Sequence, residues 1–183
     1  MEEKKKKKRL PIFILLGLLL ICAVFSGLLI TGVLKVPTVG GQKVDVQTAA
    51  LIKKASNVSD EMTLRELLLL ELELDITVTK DIETDETFLV RGTKTLYGDA
   101  MLSMDAAGKF KELYVLEVQK NAKLTMDGLT LSGNGMGSGV QVNQRAELVY
   151  QSGDMVNICK GIYTNGKVTI HDVNMKNISY AGI

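Results

Sequence analysis

The sequence predicts an all-β fold: a right-handed parallel β-helix (solenoid) outside the membrane, preceded by a short helical cap and one transmembrane helix. Three observations predict it. An uncharged apolar run occupies residues 10–34. A leucine-rich helical pattern with a capping signal follows near residue 64. Beyond it, short β-prone runs recur at intervals of about 22 residues, as stacked coils require.

Composition narrows the classes first. With 46% hydrophobic and 23% charged residues in a chain of 183, wholesale disorder is excluded. Residues 1–9 carry six Lys/Arg and two Glu, while the remainder carries 16 Lys/Arg and 19 Asp/Glu. The outer part is therefore slightly acidic, which argues against nucleic acid as a partner. Two cysteines and one histidine exclude a disulfide framework and a Cys/His zinc site.

Residues 1–9 read as a cytoplasmic basic tail and residues 10–34 as a signal-anchor helix partnered by the lipid bilayer. Arg9 and Lys35 bound 25 uncharged residues, enough for a helix of about 37 Å against a hydrocarbon core of roughly 30 Å. Seventeen of them are Leu, Ile, Val or Phe, which favours insertion by roughly 5–10 kcal/mol. Pro11 falls in the first turn, where its missing N–H costs little. The block Lys4–Arg9 resists translocation, so the N-terminus is expected in the cytoplasm and the C-terminal domain outside the cell. A cleaved signal peptide is the rival reading, but its apolar core is shorter and no A-x-A site precedes Lys35. Ala23 and Gly27 form a small-xxx-small pair of the kind that serves helix association.

Residues 35–58 read as a linker, with Pro37, Gly40 and Gly41, and a short helix over Thr48–Ser56. Thr63-Leu64-Arg65-Glu66 reads as a capping box, with Leu64, Leu67 and Leu68 on one face of the helix it opens. Then the period changes. Leu72, Leu74, Ile76 and Val78 alternate with polar residues, as in a strand with one buried face. Short β-prone runs follow at Phe88–Val90, Thr95–Tyr97, Leu113–Val118, Leu124–Met126 and Leu129–Leu131.

Residues 59–183 are assigned to the solenoid because their segments repeat. Gly139-Val140-Gln141-Val142 recurs as Gly161-Ile162-Tyr163-Thr164, and Gly182-Ile183 opens a further copy. Ala122–Met126 matches Gly166–Ile170, with Ala146–Tyr150 between them, while Leu129 and Leu131 match Val173 and Met175. This register places Leu124, Leu148 and Val168 on one inward ladder, and Met126, Tyr150 and Ile170 on another. Thr164-Asn165-Gly166-Lys167 is the dissenting signal, since Asn-Gly suits a hairpin; it also suits the bend between strands of a coil. Because the chain stops where a coil opens, the domain is expected to be truncated at its C-terminal end, or to pair an open edge with a partner.

Segments such as Val168-Thr169-Ile170-His171-Asp172-Val173-Asn174-Met175-Lys176-Asn177, with Gly161-Ile162-Tyr163 before and Gly182-Ile183 after, resemble the right-handed parallel β-helix repeats of the pectin-lyase-like superfamily. Asp81-Ile82 to Tyr97-Gly98 looks like the opening coil of such folds, and the resemblance spans roughly residues 60–183. It implies an elongated surface that meets polysaccharide and, in some members, a lyase or glycosidase site. The histidine motif and Asp-Asp pair of the related polygalacturonases are absent. Asp99, Asp105, Asp127, Asp154 and Asp172 are the acidic candidates for calcium, yet none belongs to a D-x-D-x-D loop. Arg91 and Arg145 have no context that marks them as a lyase base or neutraliser.

Other candidates read as structural. His171 and its neighbour Asp172 would point to opposite faces of a strand, so His171 is expected to be a solvent-facing turn residue. Phe88, Tyr97, Phe110, Tyr114, Tyr150, Tyr163 and Tyr180 are expected to pack in the core or at turns rather than stack on sugars. Cys22 and Cys159 lie in different compartments, and Cys159 is expected to be buried. Asn57-Val58-Ser59 and Asn177-Ile178-Ser179 match the glycosylation sequon by chance. No catalytic, cofactor or metal residue is assigned, and no cofactor is expected. The expectation is a single-pass, cell-surface structural or binding module, adhesin-like and in contact with cell-wall or extracellular polysaccharide. The alternative is an extracellular polysaccharide lyase or glycoside hydrolase.

Overall fold

A computed structural model describes residues 38, 39, 41–108 and 112–181. The apolar run at 10–34, with Cys22, Ala23 and Gly27, lies outside them, as do Phe110 and Gly182-Ile183. No helix among the described residues is long and apolar enough to cross a membrane.

The described chain opens with a two-residue antiparallel pair, β1 (Thr38–Val39) and β2 (Gln42–Lys43), and two short helices, α1 (Val46–Ile52) and α2 (Glu61–Leu69). Helix α1 starts and stops earlier than the sequence pattern suggests. The Asp45 carboxylate accepts from the Thr48 N–H at 2.9 Å and so sets its first turn. In α2 the capping-box reading is corrected. Asp60, not Thr63, is the N-cap: its carboxylate accepts from the Thr63 N–H at 2.9 Å. That bond holds the Asp60 carboxyl below its ordinary value. Thr63 itself lies inside the helix, buried with Leu64, Leu67 and Leu68. Asp60→Ala should therefore lower stability by about 1 kcal/mol in urea unfolding. No change would mean that the helix start is held by packing alone.

All later strands pair in parallel and form three faces. The first face stacks β3 (Glu73–Thr77), β6 (Thr93–Tyr97) and the leading halves of β9 (Lys123–Ser132), β11 (Glu147–Lys160) and β13 (Lys167–Ala181). The second stacks β4 (Ile82–Thr84), β7 (Met101–Met104) and the trailing halves of β9, β11 and β13. The third stacks β5 (Phe88–Val90), β8 (Tyr114–Val118), β10 (Ser138–Val142) and β12 (Ile162–Thr164). Each pass through three faces is one coil of a parallel β-solenoid.

The expected register is present. Leu148 pairs with Leu124 on one side and Val168 on the other, and Tyr150 does the same with Met126 and Ile170. Leu124, Leu148, Met126 and Tyr150 are wholly buried. On the third face Val140, Gln141 and Val142 pair with Ile162, Tyr163 and Thr164. The glycines just before these runs let two coils meet, because a Cβ on Gly139 would collide with the Gly161 carbonyl oxygen. The Asn165-Gly166 hairpin signal resolves as a corner: β12 and β13 pair with the preceding coil instead of with each other. Asn165 N–H bonds the Val142 carbonyl at 2.8 Å and Lys167 N–H bonds that of Ala146 at 2.9 Å, so the bend continues the parallel ladder.

At the start of the solenoid, α2 lays Leu64, Leu67 and Leu68 on the core. Ala55 and Val58 are buried there too, and Val58 bridges Val78 in parallel. One inward position breaks the apolar pattern. Lys94 occupies the rung between Leu74 and Leu124, wholly buried. Its Nζ donates to the carbonyls of Leu70 at 2.7 Å, Leu72 at 2.8 Å and Arg91 at 2.5 Å. Leu70 is the C-cap of α2, so the ammonium closes the negative end of the helix that begins the stack.

Candidate functional site

Three surface regions gather polar side chains. The first is a cleft of about 550 Å³ on the third face, lined in part by Arg65, Glu86, Glu112, Tyr114, Glu117 and Gln141. Parallel register builds it: Leu89, Glu117, Gln141 and Tyr163 form one outward row, a residue from each coil. Three carboxylates and an arginine in one cleft is the composition a glycan-cleaving site would need. Their partners decide what they can do. Glu112 accepts from Tyr114 Oη at 3.1 Å, Ser138 Oγ at 3.2 Å and Lys160 Nζ at 2.9 Å. Burial works against its charge, but the bonds from Lys160 and Tyr114 prevail and hold its carboxyl below the ordinary value. Hydrogen bonding to Glu112 in turn raises the Lys160 amine. Burial and then Glu112 raise the Tyr114 phenol.

The other charges in the cleft are engaged as well. Asn143 Nδ2 donates to Glu117 Oε1 at 2.7 Å. Arg65 pairs with Glu61 at 2.6 Å, bonds the carbonyls of Glu86 and Thr87, and lies 4.9 Å from the centre of the Phe88 ring. A glycosidase acid needs a carboxyl raised toward neutrality. Glu112 is shifted the opposite way, and Lys160 is no better placed as a base.

The second region is the corner where the third face returns to the first. Gln119 N–H bonds the Val90 carbonyl, Asn143 N–H that of Val118 and Asn165 N–H that of Val142, which puts these three at equivalent positions of successive coils. The turns beside them place Asn121 and Arg145 at φ of 65° and 63°, in the left-handed region. Between the turns runs an open groove of about 590 Å³, lined by Gln119, Lys120, Asn143, Gln144 and Asn165. It continues toward the N-terminal end past Lys120 to Arg91 and Glu71.

The third region is the corner between the first and second faces. Asp127 and Asp172 stand in register with Ser152. Asp127 accepts from Ser152 Oγ at 2.6 Å. Asp154 pairs in register with Thr130 and Asn174, and its Oδ1 is buried with no hydrogen-bond partner. Asp105 lies elsewhere, on the chain after β7, and accepts from the Ala107 N–H. Among the described residues, no three His, Cys, Asp or Glu side chains are placed to hold a metal ion.

The remaining candidates separate. His171 is exposed but belongs to β13 rather than to a turn, because the parallel ladder with β11 continues past it. Cys159 is half-buried, not buried, since only Ile158 beside it turns inward. Phe88, Tyr114 and Tyr150 are buried, with Tyr150 Oη donating to the Leu129 carbonyl at 2.6 Å. Tyr97, Tyr163 and Tyr180 are exposed, on different faces, and make no stacking platform. Sequence reasoning missed Lys94 and the stacking of Gln119, Asn143 and Asn165 at one corner. Lys94 had one signal: a charge at the place in the Thr93–Tyr97 alternation where the inward residue belongs. No family model, no curated protein and no solved structure matches this chain.

Proposed function

We propose that this chain is a membrane-anchored cell-surface module that binds polysaccharide through the outside of its β-solenoid. Residues 10–34 would be the anchor and residues 1–9 the cytoplasmic tail, with the solenoid outside, and its repeats resemble those of the pectin-lyase-like superfamily. One observation supports binding over cleavage: the carboxylate best placed in the third-face cleft, Glu112, is tied to Lys160, Tyr114 and Ser138 and held as an anion. The competing enzyme reading draws on that same cleft, where Glu86, Glu112 and Glu117 lie near Arg65.

A polysaccharide panel applied to intact cells that carry the chain tests the proposal. Retention of at least one polymer is expected, without release of reducing ends or unsaturated products. Protease shaving of the cells should abolish that retention. Product release would favour the enzyme, and retention that survives shaving would refute the outward orientation.

A further inference from the structure

The two ends of the solenoid are finished differently. At the start, α2 covers the core with Leu64, Leu67 and Leu68. At the other end β13 has one partner strand among the described residues, β11, which leaves its second edge without a strand. The inward side chains reflect this. Leu148, Tyr150, Met155 and Ile158 of β11 are wholly buried, while Val168, Ile170, Met175 and Ile178 paired with them are only partly so. An open edge is a template for another strand, and β13 has neither a proline nor an inward charge to prevent it.

The order of residues along β13 decides which strand fits. About Asn174 it reads nearly alike in both directions: Val173 answers Met175, Asp172 answers Lys176 and Ile170 answers Ile178. Beyond them polar His171 and Thr169 answer polar Asn177 and Ser179. An antiparallel strand of the same sequence, centred there, sets apolar against apolar and opposite charges face to face. Directly opposed side chains lie about 5 Å apart, close enough for both kinds of contact. Neighbouring registers fail. A centre at Val173 sets Ile170 against Lys176, and a centre at Met175 sets Asp172 against Ile178. Asn174 also lies between the corner at Asp172 and the left-handed residue Asn177, whose φ is 56°. A two-fold axis between them brings one bend close to the other.

We infer that β13 pairs antiparallel with β13 of a second copy, about a two-fold axis at Asn174. Such an interface is isologous and closed, and each contact occurs twice: Asp172 meets Lys176 of the partner subunit, and Lys176 meets Asp172 of the partner subunit. A head-to-tail stack would need the other end of the solenoid, where α2 already lies on the core. The dimer is one continuous stack of coils with an α2 cap at each outer end. It depends on β13 alone and holds whether or not the solenoid binds polysaccharide.

The test is the mass of the full chain in detergent micelles, measured by sedimentation at micromolar concentration. A dimer is expected. Asp172 and Lys176 are both exposed, so they can be changed without disturbing the core. Asp172→Lys and Lys176→Asp each set like charges opposite one another, and each should weaken the dimer by about tenfold or more. The double variant Asp172→Lys/Lys176→Asp restores opposite charges and should dimerise like the parent. So should an equimolar mixture of the two single variants, which complement each other but not themselves. That rescue cannot come from chains that fail to fold. Ala23→Leu/Gly27→Leu, which removes the small-residue pair of the apolar run, should leave the dimer intact. A monomeric parent would overturn the inference, and so would species larger than a dimer, since the interface is closed. A dimer that neither single variant weakens, or that the Ala23/Gly27 variant abolishes, would place the association elsewhere and overturn it too. Weakening by the single variants with no rescue in the double variant or the mixture would overturn the pairing about Asn174.

Discussion

Leu148→Asp is expected to abolish cooperative folding of the solenoid at neutral pH. Leu148 is wholly buried between Leu124 and Val168 on the inward ladder of the first face. A carboxylate there has no donor within its rung and gives up the apolar contacts of both neighbouring coils. The combined cost is about 4 kcal/mol or more, a large part of the roughly 5–15 kcal/mol that holds a domain together. Leu124 would be a blunter choice, because Lys94 sits on the next rung and could answer the new charge. The control is Val149→Asp, one residue on and pointing outward, at a cost of about 1 kcal/mol or less. Urea unfolding of both variants reads the result. Equal effects at 148 and 149 would show that the register is wrong.

The second large effect belongs to Lys94. Lys94→Ala should cost about 3–5 kcal/mol at pH 7, from the cavity and from the orphaned carbonyls of Leu70 and Arg91. The Leu72 carbonyl keeps its bond from the Thr93 N–H. The pH dependence carries a distinctive sign. Burial lowers the Lys94 amine from 10.5 to about 8, against an opposing pull from Glu71. Between those two values the unfolded chain holds the proton and the folded chain does not, so raising the pH through this window stabilises the fold. Below pH 8 both states are charged and the desolvation cost is paid in full. The gain across the window is about 3 kcal/mol. Lys94→Met, similar in size and without a charge, should lack it. Stability curves from pH 7 to 10.5 for the parent and Lys94→Met should therefore diverge as pH rises. Parallel curves would mean that Lys94 keeps its proton on three carbonyls at every pH tested.

The repeat was legible because parallel stacking puts chemically equivalent residues on top of one another. Leu124, Leu148 and Val168, or Gly139 and Gly161, must share size and polarity to occupy one ladder, and that demand leaves a trace in the chain. The apolar alternation of Leu74, Ile76 and Val78 and the buried face of α2 were readable for the same reason, since each obeys a local period. β4 and β7 were not, because Ile82–Thr84 and Met101–Met104 mix polar residues into very short runs, whereas the equally short Phe88–Val90 is apolar throughout. The helix start moved from Thr63 to Asp60 because both residue types can cap; the Asp60 carboxylate takes the Thr63 N–H, and Thr63 itself is buried inside the helix.

What the sequence determined by itself was therefore the coil: which residues turn inward, where the bends fall and how copies align. The tertiary structure alone decided what meets across coils. Successive coils differ in length, as the pairings of Thr93 with Lys123 and of Lys123 with Glu147 show, so no constant spacing relates the equivalent corner residues Gln119, Asn143 and Asn165. Lys94 reads as an exposed charge until the carbonyls of Leu70 and Leu72, from the preceding coil, and of Arg91 converge on it. Glu112 reads as a free carboxylate until Lys160, 48 residues away, comes to its side. An inward ladder is written into every coil because each coil must bury its own apolar side. A charge is placed by partners far away in the chain, and only the stacking of coils of unequal length brings them together.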